Sequence, residues 1–493
     1  MKQATAIDPS WATSKNKSFS ADRANRVARN AVTSAGVMAA ARDISVMRGY
    51  SDTYGVMVPK TAKVCNQRQS GRCWMFSAFN VARHATMELL DVDSFEFSQS
   101  FGMFYDKLEK ANAMFERIIR TAHLPFDSRE VCELLDEGVG DGGYYPFAMN
   151  LIAKWGLVPK AAMPETACSR NSSEMDAQLE RLCRKGACEL RSMAADGASA
   201  SELRAHKEEL LANVHGMLAV CLGEPPVTFD LEIQVGKKCK ADPAKVFAVE
   251  GKAKGAAKKD SGDEDGKGDE SERFVLRDAG ITPREFAERY VPFDPNDYVT
   301  LVSMPGKTRP FGHAYHLTLT DSVVGGTPNR MLNVEPEVLD AAAVASLKAG
   351  VPVGMACDVM QQFPRYIDDY KYVLSTNGED VEALFGCDLA MERADMIDMR
   401  ETCLTHAMTF QGVQLDGDGR PRAWRVENSW GEKQGKDGYL VMSADWFHLY
   451  GGEVDVRREF VPTETLRQWD EAPVEDVTPW SGLATALGRG RQR

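Results

Sequence analysis

The residues with the clearest chemical potential lie in NQRQSGRCWMFSAF, positions 66–79. Cys73 follows Gly71 where an apolar helical pattern begins. A helix N-terminus carries partial positive charge and unpaired backbone N–H groups, and both favour a thiolate over a thiol. With an imidazolium nearby, the thiol pKa of such a cysteine can fall to roughly 3.5–7.5, which makes it a nucleophile. The competing reading of the same placement is an inert core cysteine capping a helix. A nucleophile that attacks a carbonyl also needs donors for the developing oxyanion. The Cys73 backbone N–H is one. The Gln67 side-chain amide supplies a second if Ser70 and Gly71 turn the chain back.

Eight histidines could provide the base. His84 lies on the nucleophile's own helix, about 16 Å along it at 1.5 Å per residue, too far to act. His313 and His316, in FGHAYHLTLT, have i, i+3 spacing but precede a strand and lack a third ligand motif, so no metal is expected. His406 differs. It opens HAMTFQGVQL, which is followed by the turn-rich DGDGRP at 416–421 and then RAWRVENSWG at 422–431. A hairpin folded at 417 sets His406 opposite Asn428. The amide then fixes the ring's tautomer while the other ring nitrogen faces the sulfur. Trp430 is placed to cover the His–Asn bond and exclude water. The DGDG run is too incomplete for an EF-hand and reads as a turn.

These residues need two kinds of element around them. Residues 73–90 have apolar groups at helical spacing, and further helical patterns occur near 98–120, 145–156, 173–193 and 201–216. From about 299 the pattern changes to short strands (YVTLVSM, HLTLTDSVV, HAMTFQGVQL, RAWRVENSW, GYLVMS), interrupted by helical inserts at 339–349 and 380–402. The fold class expected is α+β: a helical lobe and a β-rich lobe with a cleft between them. The divisions expected are an N-terminal arm over 1–60, a helical lobe over 61–225, an insertion over 226–298, a β-rich lobe over 299–460 and a C-terminal arm over 461–493.

Composition narrows the function classes. The 493 residues are 43% hydrophobic and 27% charged, as in a globular protein. A net charge of −13 does not encourage nucleic-acid binding. No apolar run approaches a membrane span, and the polar N-terminus lacks a signal-peptide pattern, so a cytoplasmic location is expected. Eleven cysteines without a CxxC pair suggest reduced thiols. Residues 251–272, GKAKGAAKKDSGDEDGKGDESE, read as a disordered charged loop bulging from a hairpin.

NQRQSGRCW, THAMTF and ENSWG, in that order, resemble the papain-type cysteine peptidase signature, and in detail its bleomycin hydrolase/aminopeptidase C branch. EFSQSFGMFYDKLEKAN (96–112), DGGYYPFAMNLIAKWGLVPKAAMPET (141–166) and NSWGEKQGKDGYLVMSADWF (428–447) are similar to that branch, and the resemblance covers most of 45–460. It implies a papain-like fold with helical and hook-like insertions, and Cys73, His406 and Asn428 as the catalytic set with Gln67 at the oxyanion hole. Gly142 and Gly143 would be cleft backbone that pairs with substrate, with Trp430 beside them. It further implies a homohexameric ring, peptide substrates trimmed from their N-termini, and no cofactor. In that branch the C-terminal carboxylate lies in the cleft and pairs with the substrate amine. Here PWSGLATAL is followed by GRGRQR, with Ser481 where Asp is expected. The expected activity is a thiol aminopeptidase. An oligopeptide endopeptidase on the same scaffold, or an acyltransferase using the same Cys–His pair, remain as alternatives. A binding ring without catalysis fits poorly with the intact set.

Overall fold

The computed structural model describes residues 6–249, 273–365, 367 and 369–488. The charged run at 251–272 and the tail beyond Gly488 lie outside the described residues.

The expected helices form. Cys73–Leu90 is buried on nearly every face, as its mainly apolar sequence requires. Gln99–Arg120, Tyr145–Trp155, Ser173–Ala195 and Ala200–Leu222 pack with it into two adjoining cores. Caps set several of these ends. Ser98 accepts from the Phe101 N–H, and Ser199 and Glu202 form a reciprocal capping box. Gly186 lets the third of these helices close on Phe115 and Leu210, where a Cβ would lie 2.8 Å from the leucine.

The second lobe is an eleven-stranded, mainly antiparallel sheet. Its centre runs Tyr298–Val302, Gly451–Arg457, Val353–Cys357, His406–Leu415, Pro421–Glu427 and Tyr439–Ser443. The helix Pro336–Lys348 and the aromatic group Phe410, Trp424 and Phe447 fill one face. The nucleophile helix lies against the other, through the His406–Leu415 strand.

Two regions contain elements that the sequence reading did not specify. The N-terminal arm is helical, at Pro9–Ala21, Arg23–Ala35, Val37–Ala41 and Ile44–Met47. The first two of these helices bury no residue, so they leave no core-facing apolar stripe for pattern analysis to find. The expected insertion at 226–298 contains a three-stranded antiparallel sheet of Phe229–Val235, Val246–Val249 and Arg273–Ile281, followed by the helix Pro283–Tyr290. Val249 pairs with Arg273 on the neighbouring strand; the expected bulging loop at 251–272 between them lies outside the described residues.

Candidate active site

Cys73 is the first residue of its helix and has no side-chain cap before it. The residue ahead, Arg72, is 1% exposed and anchors the helix start. Its guanidinium makes a two-pronged contact with Glu165 at 2.9 and 3.1 Å and donates to the Ser169 carbonyl and the Ser70 hydroxyl. Asp141 fixes the preceding turn. It accepts from the Gly71 N–H at 2.8 Å and from Ser172 at 2.5 Å, and pairs with buried Lys107 at 2.7 Å. The Asp141 carbonyl accepts from the Trp74 indole. Burial works against the charge, but Lys107 and the Ser172 and Gly71 hydrogen bonds outweigh it and hold Asp141 well below the usual carboxylate range. Sequence reasoning assigned no role to Arg72, Glu165 or Asp141, because their partners are distant in the chain.

His406 begins its strand, and its Nε2 lies 2.8 Å from Asn428 Oδ1. That oxygen also accepts from the Ser429 N–H at 2.7 Å, which fixes the amide's orientation and makes Nε2–H the donor. Nδ1 is therefore the proton-accepting nitrogen. The Trp430 ring lies against the imidazole, 4.8 Å between centroids and tilted by 31°.

The hairpin register departs from the expected one. Thr409 pairs with Glu427 and Phe410 with Val426, with bulges toward the turn. Continued past the ladder's end, that register puts Trp430 opposite His406 and shifts Asn428 by two positions. Asn428 reaches the imidazole diagonally from beyond the last paired residue, within the span of a cross-strand diagonal.

Cys73 and His406 line the same cleft, a cavity of about 490 Å³. The backbone of Ala407, the residue after His406, and that of Trp74 and Cys73 at the helix start act to lower the thiol's pKa, against the larger effect of burial. Gly142 and Gly143 line this cleft, while Gln67 and Trp430 are not among its lining residues. A Cβ at Gly143 would come within 2.5 Å of the Trp74 indole. The Gln67 amide is clamped on both sides: Nε2 donates to the Ser70 carbonyl at 2.6 Å and Oε1 accepts from Ser429 at 2.5 Å. Its second Nε2 hydrogen has no described acceptor.

The electrostatics differ from the expected lowered thiol pKa. Burial pushes the Cys73 thiol up and His406 down to about 4. Each charge is costly alone in this site. His316 is not available for a metal, because Asp476 and Asp321 occupy its two ring nitrogens.

Comparison with known proteins agrees with this geometry. The Peptidase C1-like family matches residues 7–242 and 268–484. The chain belongs to the Peptidase C1-like family. The unmatched interval, 243–267, overlaps the charged run, which marks that run as an insertion relative to the family. Aminopeptidase C of Streptococcus thermophilus is 35% identical over 427 residues, covering 87% of each chain. Aminopeptidase W of Lactobacillus delbrueckii subsp. lactis is 35% identical over 480 residues, covering 97% of this chain and 99% of the relative. Among solved structures, PepW from Lactobacillus rhamnosis superposes with a TM-score of 0.84 at 33% identity, covering 97% of this chain and 98% of that one. As a member of this family, the protein is a cysteine-type peptidase with a papain-like α+β fold.

Proposed function

We propose that the protein is a cysteine aminopeptidase in which Cys73 is the nucleophile and His406 the general base and acid. Asn428 orients the base, and Gln67 and the Cys73 N–H hold the oxyanion. His406 Nδ1 takes the thiol proton as sulfur attacks the carbonyl, then delivers it to the leaving amine. The emptied imidazole activates water to cleave the thioester. Gly142 and Gly143 present cleft backbone to the peptide, and Trp430 shields the His–Asn bond.

The observation that carries exopeptidase over endopeptidase action lies at the C-terminal segment. Leu487 and Gly488 line the cleft that holds Cys73. The Leu404 N–H donates to the Ala486 carbonyl at 2.8 Å, which ties that segment down. Such a plug leaves little room for residues on the acyl side of the scissile bond. Related proteins named aminopeptidases support the same reading. The test compares peptides with free and acetylated N-termini. The free peptide is expected to be cut far faster, and equal rates would remove the exopeptidase reading.

We also infer a homohexamer and a cytoplasmic location. Exposed Trp11, Phe19 and Val27 on the otherwise unburied N-terminal helices favour contact with another copy. All eleven cysteines are free, as suits a reducing compartment. Light scattering on the full chain and on a chain lacking the first two helices tests the assembly: loss of a sixfold mass only in the shortened chain is expected. No helix among the described residues is long and apolar enough to cross a membrane.

A further inference from the structure

A second cavity, of about 560 Å³, lies beside the catalytic cleft and is lined by neither Cys73 nor His406. Tyr145 lines both cavities. Thr300 in the second donates its hydroxyl to Asp455 in the first at 2.7 Å, so one layer of side chains divides them. The walls of the second cavity are mainly apolar, built by Pro146, Met149, Pro295, Pro328 and the Trp469 indole. A cavity of that size and character fits a small organic molecule. Nothing in the peptidase chemistry uses it.

One charge at this cavity is left uncompensated. Asp476, His316 and Arg330 pair across three neighbouring strands, Val474–Val477, His313–Leu317 and Arg330–Asn333. Paired residues share a face of the sheet, so the three form a row. His316 is held by Asp476 at 2.7 Å and by Asp321 at 3.0 Å, which answer its charge. Arg458 is paired with both oxygens of Asp470 at 2.7 and 2.8 Å. Arg330 has no carboxylate partner of its own among the described residues. Its guanidinium donates to the Trp469 carbonyl and lies over that indole, 4.5 Å from the ring centre. Burial is the largest effect on its charge and works against it; Asp470 works for it and Arg458 against it. A partly buried guanidinium without its own carboxylate is costly, and an anion placed beside it offsets that cost.

We propose that this cavity is a ligand site separate from the catalytic cleft, taking the carboxylate of a small apolar or aromatic acid. The planar Arg330 guanidinium holds the carboxylate, and Trp469, Met149 and the prolines receive the apolar body. One negative charge matches the single uncompensated cation. A dianion such as phosphate would add a second charge near Asp476 and Asp470, which repel it. Two sources share the carboxylate chemistry, an apolar amino acid with its free amine and an acid without one. The site stands independently of the peptidase reading, since it shares no reacting group with it.

The experiment is calorimetry on the full-length protein with 3-phenylpropanoate, its primary amide and phenylalanine as probes. The acid should bind on the order of 10–100-fold more tightly than the amide, the range for hydrogen bonds to a charged group. In Arg330→Met the acid should bind no better than the amide. Val474 lines the cavity from an exposed edge strand, on a different strand from Arg330. Val474→Trp should therefore fill the cavity and remove acid binding, with a melting temperature near wild type. Phenylalanine binding at least as tightly as 3-phenylpropanoate, and lost in the same variants, identifies a free amino acid as the source. Weaker binding of phenylalanine identifies an acid without the amine. No binding of either at millimolar concentration, equal affinity for acid and amide, or acid binding that survives Val474→Trp would overturn the proposal. Acid binding that survives Arg330→Met but not Val474→Trp would overturn the carboxylate class. Arg330 also anchors Trp469, so if Arg330→Met does not fold, the acid–amide comparison and Val474→Trp decide the matter.

Discussion

Ser77 donates its hydroxyl to the Met408 carbonyl at 2.5 Å. Ser77 lies one helical turn beyond Cys73, and Met408 two residues beyond His406, so this bond joins the nucleophile's helix to the base's strand. The Thr409 hydroxyl donates to the Ser77 carbonyl at 3.3 Å and reinforces the joint. Residues 331 positions apart in the chain are thereby held in register across the cleft. Ser77→Ala should leave the Met408 carbonyl with one partner fewer and cost about 1–3 kcal/mol of stability. Because the joint ties the Cys73 helix to the His406 strand, kcat should fall more than KM rises. Chemical denaturation together with steady-state kinetics checks both, and unchanged kcat would show that the joint is not needed for alignment.

Asn428→Ala should reduce kcat without abolishing it. The amide supplies the only described hydrogen bond to the His406 ring. Without it the imidazole can turn, and part of the roughly 10²–10⁴-fold value of general acid–base catalysis is lost. Pre-steady-state acylation rates measure the change. An acylation rate equal to wild type would remove Asn428 from its orienting role.

Gln67→Ala should slow acylation by about 10- to 1000-fold, in the range seen for an oxyanion donor. Alkylation of Cys73 by iodoacetamide builds no oxyanion, so its rate should change far less. Ser429→Ala, which releases one side of the amide clamp, should give a smaller loss of the same kind. Parallel alkylation and turnover assays make the comparison. Equal losses in both would point to a displaced nucleophile.

Acidification should destabilise the fold through His406. Its folded value is about 4, below the ordinary histidine value near 6.5. Between those values the unfolded chain binds a proton that the folded chain does not, so stability falls as pH drops through this window. His406→Gln should flatten that part of the stability profile. Thermal melts of both proteins from pH 7 to pH 4 test this, and identical slopes would contradict it.

Gly143→Ala should damage both fold and activity. The added methyl would meet the Trp74 indole at 2.5 Å, and the indole is itself tied to the Asp141 carbonyl. Overpacking of this kind costs about 1–3 kcal/mol. Since Gly143 lines the cleft, KM for peptides should rise as well. A variant with wild-type melting temperature and KM would show that the indole moves aside freely.

The sequence by itself determined the participants. Helical spacing after Cys73 placed a thiol at a helix start, and the turn-rich run between two β-patterned segments brought His406 and Asn428 together, because both signals are local. The order of the two lobes was legible for the same reason. Tertiary structure decided what depends on distant partners. A bulged ladder set the diagonal reach of Asn428. Arg72, Glu165, Asp141 and Lys107 gather around the nucleophile's turn from well-separated segments. Burial pushes the Cys73 thiol pKa up, against the expected direction, since the cost of a buried charge depends on the walls around it, which no local pattern encodes.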